Sequence, residues 1–289
     1  MLVSAEPIVT AARAGHYAVG AFTIYNMEWA NEVLTAAQDE KSPVILGVSE
    51  ASAKYMGGLG AVSAMVRGLI EAREISVPVA LHLDHGSYGA AERCVELGYT
   101  SVMYDGSRET LDENLRKTAA IVKKAHSRGI SVEAEVGAIS GVEDGHVTAR
   151  GEVADPKVCA AIAAVGIDFL AAGIGNIHGA YPPDWQGLQF DALESIIAAT
   201  DGIPLVLHGG SGIPEDQVRR AISMGIAKIN VNTECQIGWS NGLREYIEAG
   251  LDLKPRGHDP RSLMRRAREN IYSVVCEKMR LFGSSGQAC

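Results

Sequence analysis

Polar chemistry gathers at a few places in this sequence. The segment VPVALHLDHGS (77–87) runs from an apolar stretch into His82, Asp84 and His85. His178 closes IDFLAAGIGNIHG, and His208 opens the turn of IPLVLHGGSG. Neutral imidazoles brought together from separate parts of a chain are typical ligands of a catalytic Zn2+, which keeps a position open for substrate. A single histidine at a strand end more often caps it through a hydrogen bond, whereas three at equivalent strand ends favour the metal. Asp84 stands beside His85, where a carboxylate can either exchange a proton with substrate or orient the neighbouring imidazole. The glycines of LHGGSG (207–212) allow close backbone approach to a phosphate, and NVNT (230–233) adds donors. Asp105, Glu133 and Glu135 bring further carboxylates. Glu143, in the polar stretch AISGVEDGHVTARG, reads either as an acid on a mobile loop or as a solvated surface carboxylate.

These residues need a frame that brings them to one place. Short β-rich apolar runs alternate along the chain with longer amphipathic stretches. The eight runs are 17–25, 43–49, 77–85, 100–107, 130–137, 167–179, 203–212 and 227–234. Helix candidates such as MEWANEVLTAAQDEK, LDENLRKTAAIVKKAHSRG and PEDQVRRAISMG lie between them, the last with Pro at its start and Gly at its end. Without a Pro/Gly/Ser-rich linker, this rhythm predicts an α/β fold, a (β/α)8 barrel forming one domain over 1–289. A doubly wound sheet is the alternative, but no GxGxxG follows the first run. In such barrels the C-terminal strand ends carry the chemistry. Asp84-His85, Asp105, Glu133 and Glu135, His178, His208 and Asn230-Val231-Asn232-Thr233 all fall on those strands or at their ends. Residues 235–289 read as a helical C-terminal extension with a frayed SSGQAC tail. His82, on the same strand face as Asp84, is expected to support the barrel interior.

With 289 residues and 47% hydrophobic content, the chain can bury a large core. A formal charge of −9 argues against nucleic acid as partner but leaves room for a local cationic pocket for a phosphorylated metabolite. No apolar stretch reaches the roughly 18 residues of a spanning helix, and the N-terminus lacks the pattern of an export signal, so no membrane partner and a cytoplasmic location are expected. The five cysteines, Cys94, Cys159, Cys235, Cys276 and Cys289, are scattered with no CxxC, as in a reducing compartment.

Taken together, GAFTIYNMEW, KSPVILGVSE, HLDHGS, SVEAEVG followed by EDG, IHG, PLVLHGGSGIP, KINVNTE and DPR resemble the class II, zinc-dependent ketose-bisphosphate aldolases over nearly the whole chain. The resemblance implies a (β/α)8 fold and reversible aldol cleavage that yields dihydroxyacetone phosphate. It implies Zn2+ on His85, His178 and His208, with Asp84 as the acid that protonates the aldehyde oxygen or runs the reverse step. Glu143 would handle the proton on the ketone-side carbon. Gly179, Gly209, Gly210, Ser211 and Asn230, Val231, Asn232 and Thr233 would hold dihydroxyacetone phosphate, while Asp105 and Glu135 match a second or displaced metal position. Ser49 and Arg261 would bind substrate, Arg261 at the far phosphate of a bisphosphate. The same resemblance implies room for a monovalent cation, and a homodimer or homotetramer in which the segment around Arg261 reaches a neighbouring subunit.

Fructose 1,6-bisphosphate is the expected substrate, giving glyceraldehyde 3-phosphate as the aldehyde; tagatose 1,6-bisphosphate is an alternative. MYDGSRETLDEN, EDG and NTEC also resemble the branch that cleaves 6-phospho-5-dehydro-2-deoxygluconate. Thr23 stands where most members carry Asn, Ser140-Gly141 where they carry paired glycines, and Ile177 where a small residue is common. Other chemistries fit less well. A barrel metallohydrolase expects HxH on the first strand, and YAVGAFTIY has no His. Lys228 could form a Schiff base, which leaves the histidines unexplained; a lone barrel lysine more often pairs with a carboxylate. A binding protein without catalysis on this scaffold would lack ligands, and none is missing.

Overall fold

The computed structural model describes residues 2–143, 146–148 and 151–288. Its strands are β1 (Val19–Thr23), β2 (Val44–Val48), β3 (Val79–Gly86), β4 (Ser101–Tyr104), β5 (Ser131–Val136), β6 (Ser140–Glu143), β7 (His146–Thr148), β8 (Phe169–Ala172), β9 (Ile177–His178), β10 (Leu205–Leu207) and β11 (Ile226–Val231). Eight of them close into a barrel in the order β1-β11-β10-β8-β5-β4-β3-β2. Every pairing around the ring is parallel, so the chain is the (β/α)8 barrel its rhythm predicted. Among the described residues no helix is long and apolar enough to cross a membrane.

Strand alternation sorts the side chains into two cores. Phe22, Leu46, Leu81, Val102, Val132, Leu170, Leu205 and Ile229 face outward into the layer shared with the helices. Val19, Ala21, Ile45, Ala80, Phe169, Ala171, Val206 and Ala227 belong to a second core, which the helix Ala5–Ala14 packs against through Ala5, Ile8, Val9 and Ala12. That helix was not anticipated. Its Ala5 N–H donates to Ser131 Oγ at 3.1 Å. Successive inward positions then turn polar along the strands: Ala80, His82 and Asp84 on β3; Ser131, Glu133 and Glu135 on β5; Val206 and His208 on β10 and the loop that follows it. The barrel is therefore apolar at the end nearer that helix and ionisable at the other.

Three expectations change. The run 167–179 is two strands, because after β8 the Ile174 N–H donates to Asn176 Oδ1 at 2.9 Å and the chain turns before β9. His178 thus sits on β9, beyond the barrel wall. The stretch after the fifth barrel strand is not simply a loop, since β6 pairs antiparallel with β7 and parallel with β9. The C-terminal extension is helical and packs onto the barrel, with Ile271, Val275, Met279 and Phe282 of the helix Arg265–Phe282 buried in the outer core. The tail is not frayed through residue 288. Gly286 and Ala288 donate to the carbonyls of Glu40 and Lys41, both at 2.8 Å, and buried Ser284 bonds Ser42 at 2.8 Å. Cys289 lies outside the described residues.

Candidate active site

A register shift between Leu83 and Gly86 interrupts the β3–β4 ladder. Within it His85 takes a φ of 46°, the left-handed region that side chains other than glycine occupy at a cost of about 1–3 kcal/mol. Gly86 permits the kink, since a Cβ there would stand 2.7 Å from the Met103 carbonyl oxygen. The outcome is an imidazole whose Nδ1 lies 3.0 Å from Asp105 Oδ2 and 3.7 Å from Glu135 Oε2. From β10, His208 places Nε2 at 2.9 Å from Glu133 Oε1 and Nδ1 at 2.9 Å from His85 Nε2. His178 completes the cluster, its ring centroid 5.0 Å from that of His85 and 5.7 Å from that of His208.

The segments carrying His178 and His208 touch. Gly209 has a φ of 64°, and a Cβ there would fall 2.1 Å from the Ile177 carbonyl oxygen. Tyr181 Oη accepts from the Ile177 N–H at 3.0 Å and donates to the Gly209 carbonyl at 2.8 Å. Asn176 Nδ2 donates to the His208 carbonyl at 3.0 Å. Gly209→Ala is expected to lower stability by about 1–3 kcal/mol and to weaken metal binding by roughly 10-fold or more, as it forces these ligand segments apart. Urea unfolding and a zinc titration of the variant check both numbers; an unchanged zinc affinity would show that the contact does not set the ligand spacing.

Candidate metal ligand atoms of His85, His178 and His208 lie within 4.8 Å of one another, as do those of His85, Asp105 and Glu135. Each carboxylate bond fixes a tautomer: a proton on His85 Nδ1 and on His208 Nε2 leaves the lone pairs of His85 Nε2 and His208 Nδ1 facing each other. Two lone pairs 2.9 Å apart require a cation or proton between them. Burial opposes a charge on His85, but its bond to Asp105 and the nearby Asp84 and Glu135 raise its pKa well above the ordinary value. Burial lowers His178 and His208 and keeps them neutral. Burial, with help from Asp105, pushes Glu135 well up, and its Oε2 is buried without a hydrogen-bond partner. Buried Asp84, Glu133 and Glu135 and part-buried Asp105 stand against one buried ammonium, Lys228. An excess of carboxyls around facing imidazole lone pairs fits a divalent cation.

Asp84 is anchored from β11. Asn230 Nδ2 donates to both carboxylate oxygens, at 3.1 and 3.0 Å, while Lys228 Nζ donates to Asn230 Oδ1 at 2.8 Å. The same ammonium lies 2.8 Å from Glu133 Oε2, so Lys228 pairs with a carboxylate rather than standing free as a Schiff-base lysine. Burial resists ionisation of Asp84, yet the charges of His85 and Lys228 hold its carboxyl far below the ordinary range. His82 fills the supporting place expected of it: fully buried, with Nδ1 2.7 Å from Ser101 Oγ and its pKa pushed down to about 4, chiefly by burial.

Two clefts meet at the histidines. The smaller is lined by Thr23, Asp84, Gly179, Gly209, Ser211, Asn230, Asn232 and Thr233 together with His85, His178 and His208. The larger, about 960 Å³, shares His85 and His178 and includes Asp105 and Glu135. Thr23 therefore lies among the residues expected to hold dihydroxyacetone phosphate, away from the larger cleft. Gly210 is tucked under β11, where a Cβ would meet Ile229 at 2.4 Å, and the Val231 side chain faces the outer core. Ser49 lines neither cleft; its hydroxyl caps the helix Glu50–Tyr55. Arg261 also lines neither, its 87% exposed side chain pairing with Asp259. Glu143 ends β6, and its side chain lies outside the described residues. Glu133, Lys228, Asn176 and Tyr181 were not predicted as site residues, although the alternation of SVEAEV already put Glu133 on the same face as Glu135.

A family model described as fructose-bisphosphate aldolase class-II matches residues 3–287. The chain belongs to that family. As a class-II aldolase it is a carbon–carbon lyase. It is 50% identical over 293 residues to a fructose-bisphosphate aldolase of Streptococcus pyogenes serotype M6, covering 99% of each chain. It is 47% identical over 290 residues to that of Mycoplasma pneumoniae, covering 100% of both. Among solved structures, the YdjI aldolase of Escherichia coli K12 superimposes on this aldolase with a TM-score of 0.84 at 32% identity, over 100% of each chain.

Proposed function

We propose that this chain cleaves fructose 1,6-bisphosphate reversibly to dihydroxyacetone phosphate and glyceraldehyde 3-phosphate, with Zn2+ held by His85, His178 and His208. The observation that carries this reading is three imidazoles converging between two clefts, beside an ionised Asp84. The dihydroxyacetone phosphate half fits the smaller cleft, where backbone at Gly179 and Gly209 and the side chains of Ser211, Asn232 and Thr233 offer donors to a phosphate. The aldehyde half then extends into the larger cleft. In cleavage, Asp84 accepts the proton of the hydroxyl that becomes the aldehyde, and in synthesis it returns it. Asn230 and Lys228 hold its carboxylate toward the histidines. When bound, the metal supplies Lewis-acid stabilisation of the negative charge that bond cleavage leaves on the ketose oxygens. Asp105 and Glu135, sharing His85, are placed to take a second or displaced metal. Glu143 is assigned the ketone-side proton by resemblance, at the end of a strand whose Gly141 pairs with His178. The reading includes a cytoplasmic homodimer or homotetramer.

The test is release of dihydroxyacetone phosphate from fructose 1,6-bisphosphate, with tagatose 1,6-bisphosphate and 6-phospho-5-dehydro-2-deoxygluconate as competitors. Chelation is expected to abolish activity and added Zn2+ to restore it. Turnover that survives complete metal removal and is trapped by borohydride would point to a Schiff base and sink the zinc reading.

A further inference from the structure

We propose that Glu234, its charge offset by Lys278, is a positioning residue that fixes the Ser211 hydroxyl as a donor to the phosphate of the dihydroxyacetone phosphate half. The inference rests on the function proposed above, which seats that phosphate in the smaller cleft. Ser211 and Thr233 line that cleft, whereas Glu234, next to Thr233 in the chain, lines neither cleft. Two bonds tie Glu234 to the turn that follows β10. Its N–H donates to Ser211 Oγ at 3.2 Å, and its Oε1 accepts from the Gly212 N–H at 2.7 Å. Its other carboxylate oxygen, Oε2, lies 2.5 Å from Nζ of Lys278 on the helix Arg265–Phe282.

Each of these contacts has its own consequence. Glu234 is the second residue of the helix Thr233–Glu248, and Asn232 before that helix makes no side-chain cap but bonds Tyr25 instead. The first N–H groups of a helix have no partner within it, so Ser211 supplies an acceptor from another segment. With its oxygen accepting, buried Ser211 turns its own proton elsewhere, and among the described residues that hydroxyl donates to no neighbour. The Gly212 N–H, taken by Glu234, holds the turn in place at a φ of 86° rather than serving a phosphate. A carboxylate in the first turn of a helix would ordinarily compete with a phosphate for its positive end. Lys278, with only 12% of its side chain exposed, offsets that charge and leaves the oxygens of Glu234 as acceptors. The C-terminal helix thus takes part in the site without lining either cleft.

The experiment runs the reaction toward synthesis and measures KM separately for dihydroxyacetone phosphate and for glyceraldehyde 3-phosphate in wild type, Lys278→Met, Glu234→Gln, Glu234→Ala and the double variant Lys278→Met/Glu234→Gln. Lys278→Met is expected to raise KM for dihydroxyacetone phosphate about 5- to 10-fold, since it strands a carboxylate one residue from the phosphate donors, and to leave that for glyceraldehyde 3-phosphate within about 2-fold. Glu234→Gln keeps an acceptor for Gly212 without the charge and should stay within about 2-fold of wild type, whereas Glu234→Ala loses the acceptor and should raise the same KM by about 3- to 10-fold. The double variant should return to within about 2-fold of wild type, a recovery that a purely structural role for Lys278 does not give. A double variant no better than Lys278→Met overturns the proposal, as does Glu234→Gln as damaging as Glu234→Ala, or a KM for glyceraldehyde 3-phosphate that moves as far as the other. If Lys278→Met does not fold, the comparison of Glu234→Gln with Glu234→Ala still decides. A wild type that forms no hexose bisphosphate from the two triose phosphates overturns the function itself, a result distinct from any of these.

Discussion

Asp84→Ala is expected to keep its zinc and lose kcat by roughly 10²–10⁴-fold, the usual share of one positioned acid–base group, whereas His85→Ala loses both metal and turnover. The neighbours differ because β3 kinks between them. Asp84 keeps the alternation of the strand and points inward to Asn230, while the left-handed turn at His85 aims its ring at His208. The close contacts of Asp84 are to Asn230 and His82 rather than to His85, His178 or His208, so its removal leaves the imidazole cluster intact. Metal content by atomic absorption and single-turnover cleavage separate the two variants. An Asp84→Ala protein that comes off the column without zinc would mean that the aspartate is part of the metal site, and the division of labour would fail.

Lys228→Met is expected to be the most destabilising single change near the site, at about 3–5 kcal/mol, because it leaves Glu133 buried without its partner. Glu133 is fully buried, and although burial works against its charge, Lys228 and the bond to His208 keep its pKa near 2. Without the ammonium the carboxyl must take up a proton, which weakens its hold on His208, and the Asn230 amide loses the partner that fixes its orientation toward Asp84. Stability and turnover should therefore fall together. Adding Glu133→Gln to Lys228→Met removes the stranded charge and should recover part of the stability, as read from urea midpoints in a double-mutant cycle. A Lys228→Met loss under about 1 kcal/mol, or no recovery in the double variant, would show that the pair is not coupled as the geometry implies.

What the sequence disclosed divides along local and non-local lines. The barrel strands were legible because alternation and apolar runs are local signals, and Asp84, His85 and His208 were legible because they end such runs. His178 does lie beside His85 and His208, but on a support other than the expected barrel strand. Its strand β9 exists only by pairing with β6, more than thirty residues earlier in the chain, which no local pattern announces. The Glu133–Lys228 pair needs the ring to close, since β5 and β11 are separated by β8 and β10 around the barrel. The helix Ala5–Ala14 is not legible in the sequence because its buried face, Ala5, Ile8, Val9 and Ala12, has a partner only once the barrel floor has closed. The tail was misjudged for a related reason: SSGQAC has the composition of a loose end, and what orders it is the backbone of Glu40 and Lys41 far away in sequence.

The filled floor of the barrel also restricts traffic. Phe169, Ala171 and Val206, covered beneath by Ala5, Val9 and Ala12, set apolar side chains across the axis, and the hydroxyl of Ser131 at that end is taken up by the Ala5 N–H. Traffic to the histidines then runs through the two clefts at the opposite end of the barrel, so whatever covers those clefts during turnover would govern solvent access to the reaction.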